Sequence, residues 1–155
     1  MTKLSHYDDE GKIRMVDISG KHATNRRAVA SCSVLLSADT VAALRKGENP
    51  KGDPLEIARI AGIMAAKKTP ELIPLCHQIE LSKVNVTATL SDDSVHIEAE
   101  AITDAKTGVE MEALTAATVA ALTIYDMCKA IQKDIVITDV RLETKTGGKE
   151  DYRRQ

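Results

Sequence analysis

An α+β fold, with an antiparallel sheet packed by helices, is predicted by three features of this 155-residue chain. Several short stretches alternate apolar and polar side chains, which is the period of a half-buried strand. Two longer stretches are rich in Ala, Ile, Leu and Met, with apolar residues at helical spacing and cap signals in front. The elements follow one another as strand, two helices, strand, strand, helix, strand, so the helices are interleaved with the sheet.

Residues 1–12 are polar and are expected to form a mobile end. The segment 15–27 has no clear period and carries Lys21, His22, Arg26 and Arg27; it reads as a solvated loop or as an arm that brings Arg to an anion. Ala28, Ala30, Cys32, Val34 and Leu36 then alternate with Val29, Ser31, Ser33 and Leu35, giving a half-buried first strand. Asp39 can cap a short helix over Thr40–Arg45 that ends at Gly47. Asn49-Pro50-Lys51-Gly52 is a turn. Asp53 as N-cap, Pro54 at the first helical position and Glu56 as the far corner of a capping box start a longer helix that runs to Lys67 and Lys68. Lys51 stands just before this helix, either as an ordinary loop lysine or as part of an anion site beside the free backbone N–H groups. Thr69-Pro70-Glu71 starts one more turn of helix, and Pro74 stops regular helix before Cys76 and His77. His77, at a bend after an apolar run, reads as a structural hydrogen-bonder, and its neighbour Cys76 gives no reason to read a Cys–His nucleophile.

Val84, Val86, Ala88 and Leu90, then Val95, Ile97, Ala99 and Ala101, each alternate with polar residues around the turn Ser91-Asp92-Asp93-Ser94, which is a hairpin with one polar face. From Glu112 to Lys133 there is neither Gly nor Pro. This long helix puts Ala113, Ala116, Ala117, Ala120, Ala121, Ile124, Met127, Cys128 and Ile131 on one side. The other side mixes polar groups with Leu114, Val119, Leu122 and Tyr125, so the helix is expected to pack on both sides, against its own core and against a second subunit or a cleft. Asp126 and Lys129, at i,i+3 spacing in that second face, read either as a helix-surface ion pair or as an acid/base pair with perturbed pKa values in a largely apolar setting. The β-branched run after Asp134 is the last strand, and the tail from Lys145 to Gln155 is polar, Gly-rich and expected to be mobile. The whole order is βαββαβ with an added helix, the ferredoxin-like arrangement, in one domain over 1–155.

Composition removes several functional classes. A net charge of −2, no Phe or Trp, and Tyr only at 7, 125 and 152 leave neither a basic field nor aromatic platforms for nucleic acid. The core must be aliphatic and rich in Ala. Cys32, Cys76 and Cys128 form no CxxC pair, so no metal or redox motif is read and free thiols of a reducing cytosol are expected. No apolar run spans a bilayer, and the N-terminus lacks the apolar core of a signal peptide. Three signals remain: the cations Arg26, Lys51, Lys129, Lys145 and Lys149, suited to a polyphosphate; Lys145-Thr-Gly-Gly-Lys149, whose spacing is not that of a P-loop but whose Gly-Gly backbone can face an anion; and Glu110, Glu112, Asp126 and Lys129 as acids and bases. A nucleotide- or anion-sensing module without chemistry would use the same cations but not Asp126.

The runs KGDPLEIARIAGIMAAKKTPELIPLCH, LSKVNV, KTGVEMEALTAATVAALTIYDMCKAIQKD and KTGGK, with MVDIS near the start, closely resemble the molybdenum cofactor biosynthesis protein C family, the cyclic pyranopterin monophosphate synthases. The resemblance implies a ferredoxin-like subunit in a homohexamer built as a trimer of dimers. It implies conversion of a GTP-derived substrate, 3′,8-cyclo-7,8-dihydroguanosine 5′-triphosphate, to cyclic pyranopterin monophosphate with release of pyrophosphate, downstream of a radical SAM GTP cyclase; no cofactor is expected and no residue is read as a metal ligand. It implies catalytic roles for Asp126, Lys129 and Lys51, and substrate contacts from Arg26, Leu75, Cys76, His77, Glu110, Met111, Glu112, Lys145 and Lys149. Lys51, Arg26 and His77 are expected to hold the triphosphate together. The chain departs from the family pattern at Gln78 and after the KTGGK segment, where Glu150-Asp151 stands in place of Ser-Gly.

Overall fold

The computed structural model describes residues 4–155; of the N-terminal end expected to be mobile, residues 1–3 lie outside the described residues. The central strand, β1 (Thr24–Leu35), pairs antiparallel with β3 (Ser94–Ala105) on one side and with β4 (Val136–Thr146) on the other. Strand β2 (Lys83–Leu90) lies outside β3, and the two-residue β5 (Tyr152–Arg153) outside β4, so the order is β2-β3-β1-β4-β5. Helices α1 (Ala38–Lys46), α2 (Pro54–Ala66) and α3 (Thr69–Leu72) come between β1 and β2, and α4 (Glu110–Cys128) between β3 and β4. This is the expected ferredoxin-like path with an added helix, and with a fifth strand that the sequence pattern does not announce.

The alternation read in the strands separates two sheet faces. Ala28, Ala30, Cys32 and Val34 of β1, Val86 of β2 and Ile97, Ala99 and Ala101 of β3 are buried in one core with Ala113, Ala116, Ala117, Ala120, Ala121 and Ile124 of α4. Without large aromatic side chains the layers come close. A Cβ on Gly62 would stand 2.8 Å from the Ala116 carbonyl oxygen and 3.3 Å from the Ala120 Cβ, so α2 and α4 touch almost backbone to backbone at this point. The opposite sheet face is polar; there Glu100 is paired with Arg27 and with Lys83 at 2.5 and 2.8 Å.

Five local expectations are corrected. Residues Thr24–Arg27 belong to β1, with Arg26 opposite Thr103, so Arg26 stands on a strand and not on a loop arm. These residues are mostly exposed on both faces, which erases the alternation while the ladder to β3 continues. The cap of α1 is Ser37, whose hydroxyl accepts from Thr40 N–H at 3.3 Å, and Asp39 sits inside the first turn. Asp53 caps α2 as predicted, accepting from Leu55 N–H at 2.9 Å, but Glu56 grips the Arg59 guanidinium at 2.7 and 2.6 Å in place of a capping box. Helix α4 stops at Cys128, with Lys129 as its C-cap and a turn closed by Ile131 N–H on the Cys128 carbonyl. In the tail, β4 runs to Thr146 and β5 folds back on it, so backbone pairing reaches into the end expected to be mobile.

Candidate active site

The residues singled out in the sequence gather at the two ends of α4. At its C-terminal end, α1, the turn leading into α2, the start of α2 and residues 126–131 enclose a cavity of about 960 Å³ that takes in Lys51, Asp126 and Lys129. The Lys51 turn is fixed locally: Asn49 Oδ1 accepts from Lys51 N–H at 2.9 Å, and the Asn49 carbonyl accepts from Gly52 N–H at 3.0 Å. Lys129 Nζ donates to Asp126 Oδ1 at 2.5 Å. The pair is not sunk in apolar surroundings as expected; the two side chains are 53% and 59% exposed. Asp126 and Lys129 stand on the outward side of this last turn, while Ile124 and Cys128 on its other side are buried in the core. The hydrogen bond and charge of Lys129, with a smaller contribution from Lys51, hold the Asp126 carboxyl below the usual carboxylate range, and Asp126 in turn raises the Lys129 ammonium. In the single chain both members are therefore fixed charges near neutral pH. Around the cavity Lys46, Lys51 and Lys129 face Asp39, Glu48, Asp53 and Asp126, so its lining is mixed in charge.

The N-terminal end of α4 is built differently. Val109 gives the helix no side-chain cap, and Glu110 and Glu112 sit in the first turn at the positive helix pole. Met111 is half-buried between them. Glu112 is only 3% exposed. Burial pushes its carboxyl up to about 7, the Glu110 charge adds to this, and a hydrogen bond from its own backbone N–H opposes it. A carboxyl of that pKa can both give and take a proton at neutral pH. Burial, and secondarily the Glu112 charge, raise the Cys76 thiol above its ordinary value, so it is not poised as a thiolate nucleophile. Leu75 and Cys76 are half-buried in the bend after α3. His77 Nε2–H donates to the Val16 carbonyl at 2.7 Å, which ties the bend to the N-terminal segment as expected of a structural histidine and leaves Nδ1 unused by that bond. Lys145 Nζ donates to Glu110 Oε1 at 3.0 Å. Arg26 Nε donates to the Ala105 carbonyl at 2.9 Å beside the start of this turn. Lys149 is exposed on the glycine turn that follows β4.

The two groups do not meet in one chain. Glu112 and Asp126 are fourteen residues apart on one helix, which at about 1.5 Å per residue is roughly 21 Å. The expected grouping of Lys51 with Arg26 and His77 around one triphosphate is thus not made within the subunit. The sequence reading also missed wall residues. Asp39, Lys46 and Glu48 border the larger cavity, and Leu142, Glu150, Asp151 and Tyr152 border a second cavity of about 420 Å³ that contains Glu110 and Lys145. The charged residues flanking the Asn49-Pro50 turn were a usable signal for the first set; β5, which creates the second, has none. Among the described residues no group of three or more His, Cys, Asp or Glu side chains could hold a metal ion, and no helix is long and apolar enough to cross a membrane.

Glu112 gives a testable pH dependence. Its folded pKa of about 7 lies above its ordinary value of 4.5, so below pH 4.5 both folded and unfolded chains keep the proton. Between pH 4.5 and 7 the unfolded chain releases it first and stability falls, by up to about 3 kcal/mol once the folded carboxyl has ionised. Glu112→Gln is expected to remove this slope: melting temperatures matching wild type near pH 4.5 and exceeding it at pH 8, measured across that range. Parallel curves for the two proteins would show that Glu112 is not desolvated.

Residues 15–148 match the MoaC family. The chain is 54% identical over 154 residues to the cyclic pyranopterin monophosphate synthase of Heliobacterium modesticaldum, covering 98% of this chain and 97% of that protein. It is 58% identical over 151 residues to the cyclic pyranopterin monophosphate synthase of a Nocardioides species, covering 95% and 92%. It is 53% identical over 147 residues to the molybdenum cofactor biosynthesis bifunctional protein of Chlorobaculum tepidum, covering 95% of this chain and 47% of that one.

Proposed function

The chain belongs to the MoaC family, and from that premise we propose that it carries out the cyclic pyranopterin monophosphate synthase reaction of molybdenum cofactor biosynthesis. It converts 3′,8-cyclo-7,8-dihydroguanosine 5′-triphosphate to cyclic pyranopterin monophosphate and pyrophosphate. It does so as a cytoplasmic lyase acting on the product of a radical SAM GTP cyclase. The observation that carries the reading is the sorting of the family's motif residues into two polar groups, one at each end of α4. Lys51, Asp126 and Lys129 line one cavity, and Glu110 and Lys145 the other, beside Glu112 and Cys76.

The roughly 21 Å between the groups supports a site shared between two copies of the chain. A proton-transfer group must come within hydrogen-bond reach of the reacting atoms, and a purine ring cannot touch both ends of the helix at once. The working site is therefore shared: Lys51, Asp126 and Lys129 of one subunit face Arg26, His77, Glu110 and Glu112 of a second copy. Leu122 is exposed, and Leu114, Val119 and Tyr125 are half-buried on the outward face of α4. A two-fold contact of this face, with the helices antiparallel and centred on Val119, opposes residue 112 to residue 126. Three such dimers make the hexamer. In the shared site Lys51, Arg26 and His77 hold the triphosphate and offset charge on the departing pyrophosphate. Asp126 and Lys129 move protons while the purine ring opens and the pterin closes. Glu110, Met111 and Glu112 orient the base, with Leu75 and Cys76 beside it, and Lys145 and Lys149 reach the phosphates.

Pyrophosphate release on adding the cyclo-nucleotide tests the activity directly. In the same assay Lys51→Ala should lower kcat/KM about 10- to 100-fold, the value of one or more charge-assisted phosphate contacts. Lys51 is exposed in a turn, so the melting temperature should stay at the wild-type value. A variant with wild-type turnover and affinity would make Lys51 an ordinary loop lysine.

A further inference from the structure

The segment after β4 makes a turn whose geometry is set from three sides. Gly147 has φ 84° and presses on β1: a Cβ there would stand 1.9 Å from the Asn25 carbonyl oxygen, so no larger residue fits. Both backbone polar groups of Gly147 are tied. Its carbonyl accepts from Thr24 Oγ1 at 2.7 Å, and its N–H donates to Asp151 Oδ1 at 3.0 Å. The next residue, Gly148, lies against the Arg26 guanidinium, whose Nη1 would be 3.3 Å from a Cβ at that position. The turn thus joins Lys145, Arg26 and Lys149, three of the cations assigned above to the phosphates.

Asp151 does not hang free. Tyr152 and Arg153 pair with Lys145 and Thr144 as β5, Arg154 N–H donates to the Glu143 carbonyl at 2.8 Å, and Arg154 Nε donates to the Leu142 carbonyl at 3.0 Å. The tail is a strap bound back along β4, and it delivers the carboxylate to the open side of the turn. Asp151 lies beyond the segment matched to the family and stands where the sequence resemblance leads one to expect Gly, which has no side chain to offer. The other two anchors, Thr24 and the Asn25 backbone, lie on β1 itself.

We propose that Asp151 is a positioning residue for phosphate binding: held by the C-terminal strap, its side chain fixes the Gly147–Gly148 turn and so sets Lys145 and Lys149 beside Arg26. The part concerning phosphate rests on the function proposed above; the part concerning the turn does not. Loss of one hydrogen bond to a charged acceptor frees the turn by about tenfold in population. Asp151→Ala should therefore raise KM for the cyclo-nucleotide about tenfold, with kcat within about twofold of wild type. Its melting temperature should not change, since Asp151 is exposed. Asp151→Asn keeps an oxygen that accepts from Gly147 N–H and should restore KM. In ligand-free protein, hydrogen exchange at the Gly147 amide should be faster in the Ala variant and slow in wild type and Asn variant. An unchanged or lowered KM in the Ala variant overturns the proposal, a lowered value marking the carboxylate as a plug that excludes phosphate. An Asn variant as impaired as Ala overturns it as well, because charge and not the hydrogen bond would then matter. If the wild-type protein releases no pyrophosphate, the function reading fails, and equal Gly147 exchange in wild type and Ala variant would still sink the anchoring role separately.

Discussion

Asp126→Asn and Lys129→Met are each expected to lower turnover about 100-fold or more while the protein melts at nearly the wild-type temperature. Separation of the two readouts follows from exposure. Both side chains project from the end of α4 into solvent, so neither substitution opens a cavity or strands a charge in the core. An exposed ion pair contributes little to stability, and a loss confined to kinetics would therefore belong to the chemistry. The chemistry itself needs the pair to be covered. In the single chain Asp126 is held low and Lys129 high, which places their proton affinities far apart. In the shared site proposed above, covering them with substrate and with the glutamate end of a second α4 would remove water, raising the carboxyl and lowering the ammonium toward one another. On that proposal the pKa tuning expected of a buried pair belongs to the loaded, assembled site. Removing both groups should cost far less than the product of the two single losses, because a proton relay without one member has already failed. Folded single variants with near-normal pyrophosphate release, or losses in the double variant that multiply, would exclude the relay.

Mixing two inactive proteins is expected to restore activity. Lys129→Met spoils the half-site at the C-terminal end of α4, and Glu112→Gln the half-site at its N-terminal end. In a mixed dimer one shared site carries both defects and the other carries none. With random exchange of subunits half the dimers are mixed and half their sites are intact, so about a quarter of wild-type activity returns from near zero. The measurement is pyrophosphate release after co-dissociation and reassembly, with sedimentation to verify that the dimers and larger species have re-formed. Activity that stays at the sum of the parents, in samples shown to have exchanged, would mean that each subunit holds a complete site.

The element order was legible because each strand and helix on which it depends buries one face, and burial writes its period into the chain. Where burial stops, the reading stops. Thr24–Arg27 continue β1 with side chains mostly in solvent, and β5 is two exposed residues held by backbone pairing, so neither leaves a pattern. The identity of the candidate site residues was legible from the long runs resembling a known family. Their grouping was not, because spacing along a helix says which residues share a face but not where the helix ends. Asp126 and Lys129 looked shielded because their neighbours in ALTIYDMCKAI are apolar; Ile124 and Cys128 do face the core, but α4 stops at Cys128 and the pair stands on the outward side at the mouth of a cavity. The Glu112 environment was missed for the opposite reason, since a glutamate in a first turn reads as a partner of the helix pole and not as a group shut away from water.

The close seam at Gly62 has a bearing on how the site adapts to a ligand. Because α2 and α4 approach there almost backbone to backbone, sliding one helix along the other would have to push this close contact apart. Lys51 stands in the turn that leads into α2 and Asp126 in the last turn of α4, so a firm seam between the two helices would hold the two sides of the cavity at a set spacing. In the shared site proposed above, a substrate that needs a shorter reach would draw it from the long lysine stems or from the opposing subunit tilting as a unit. Accommodation would then lie in the proposed contact between copies, where a small rotation changes every cross-subunit distance together.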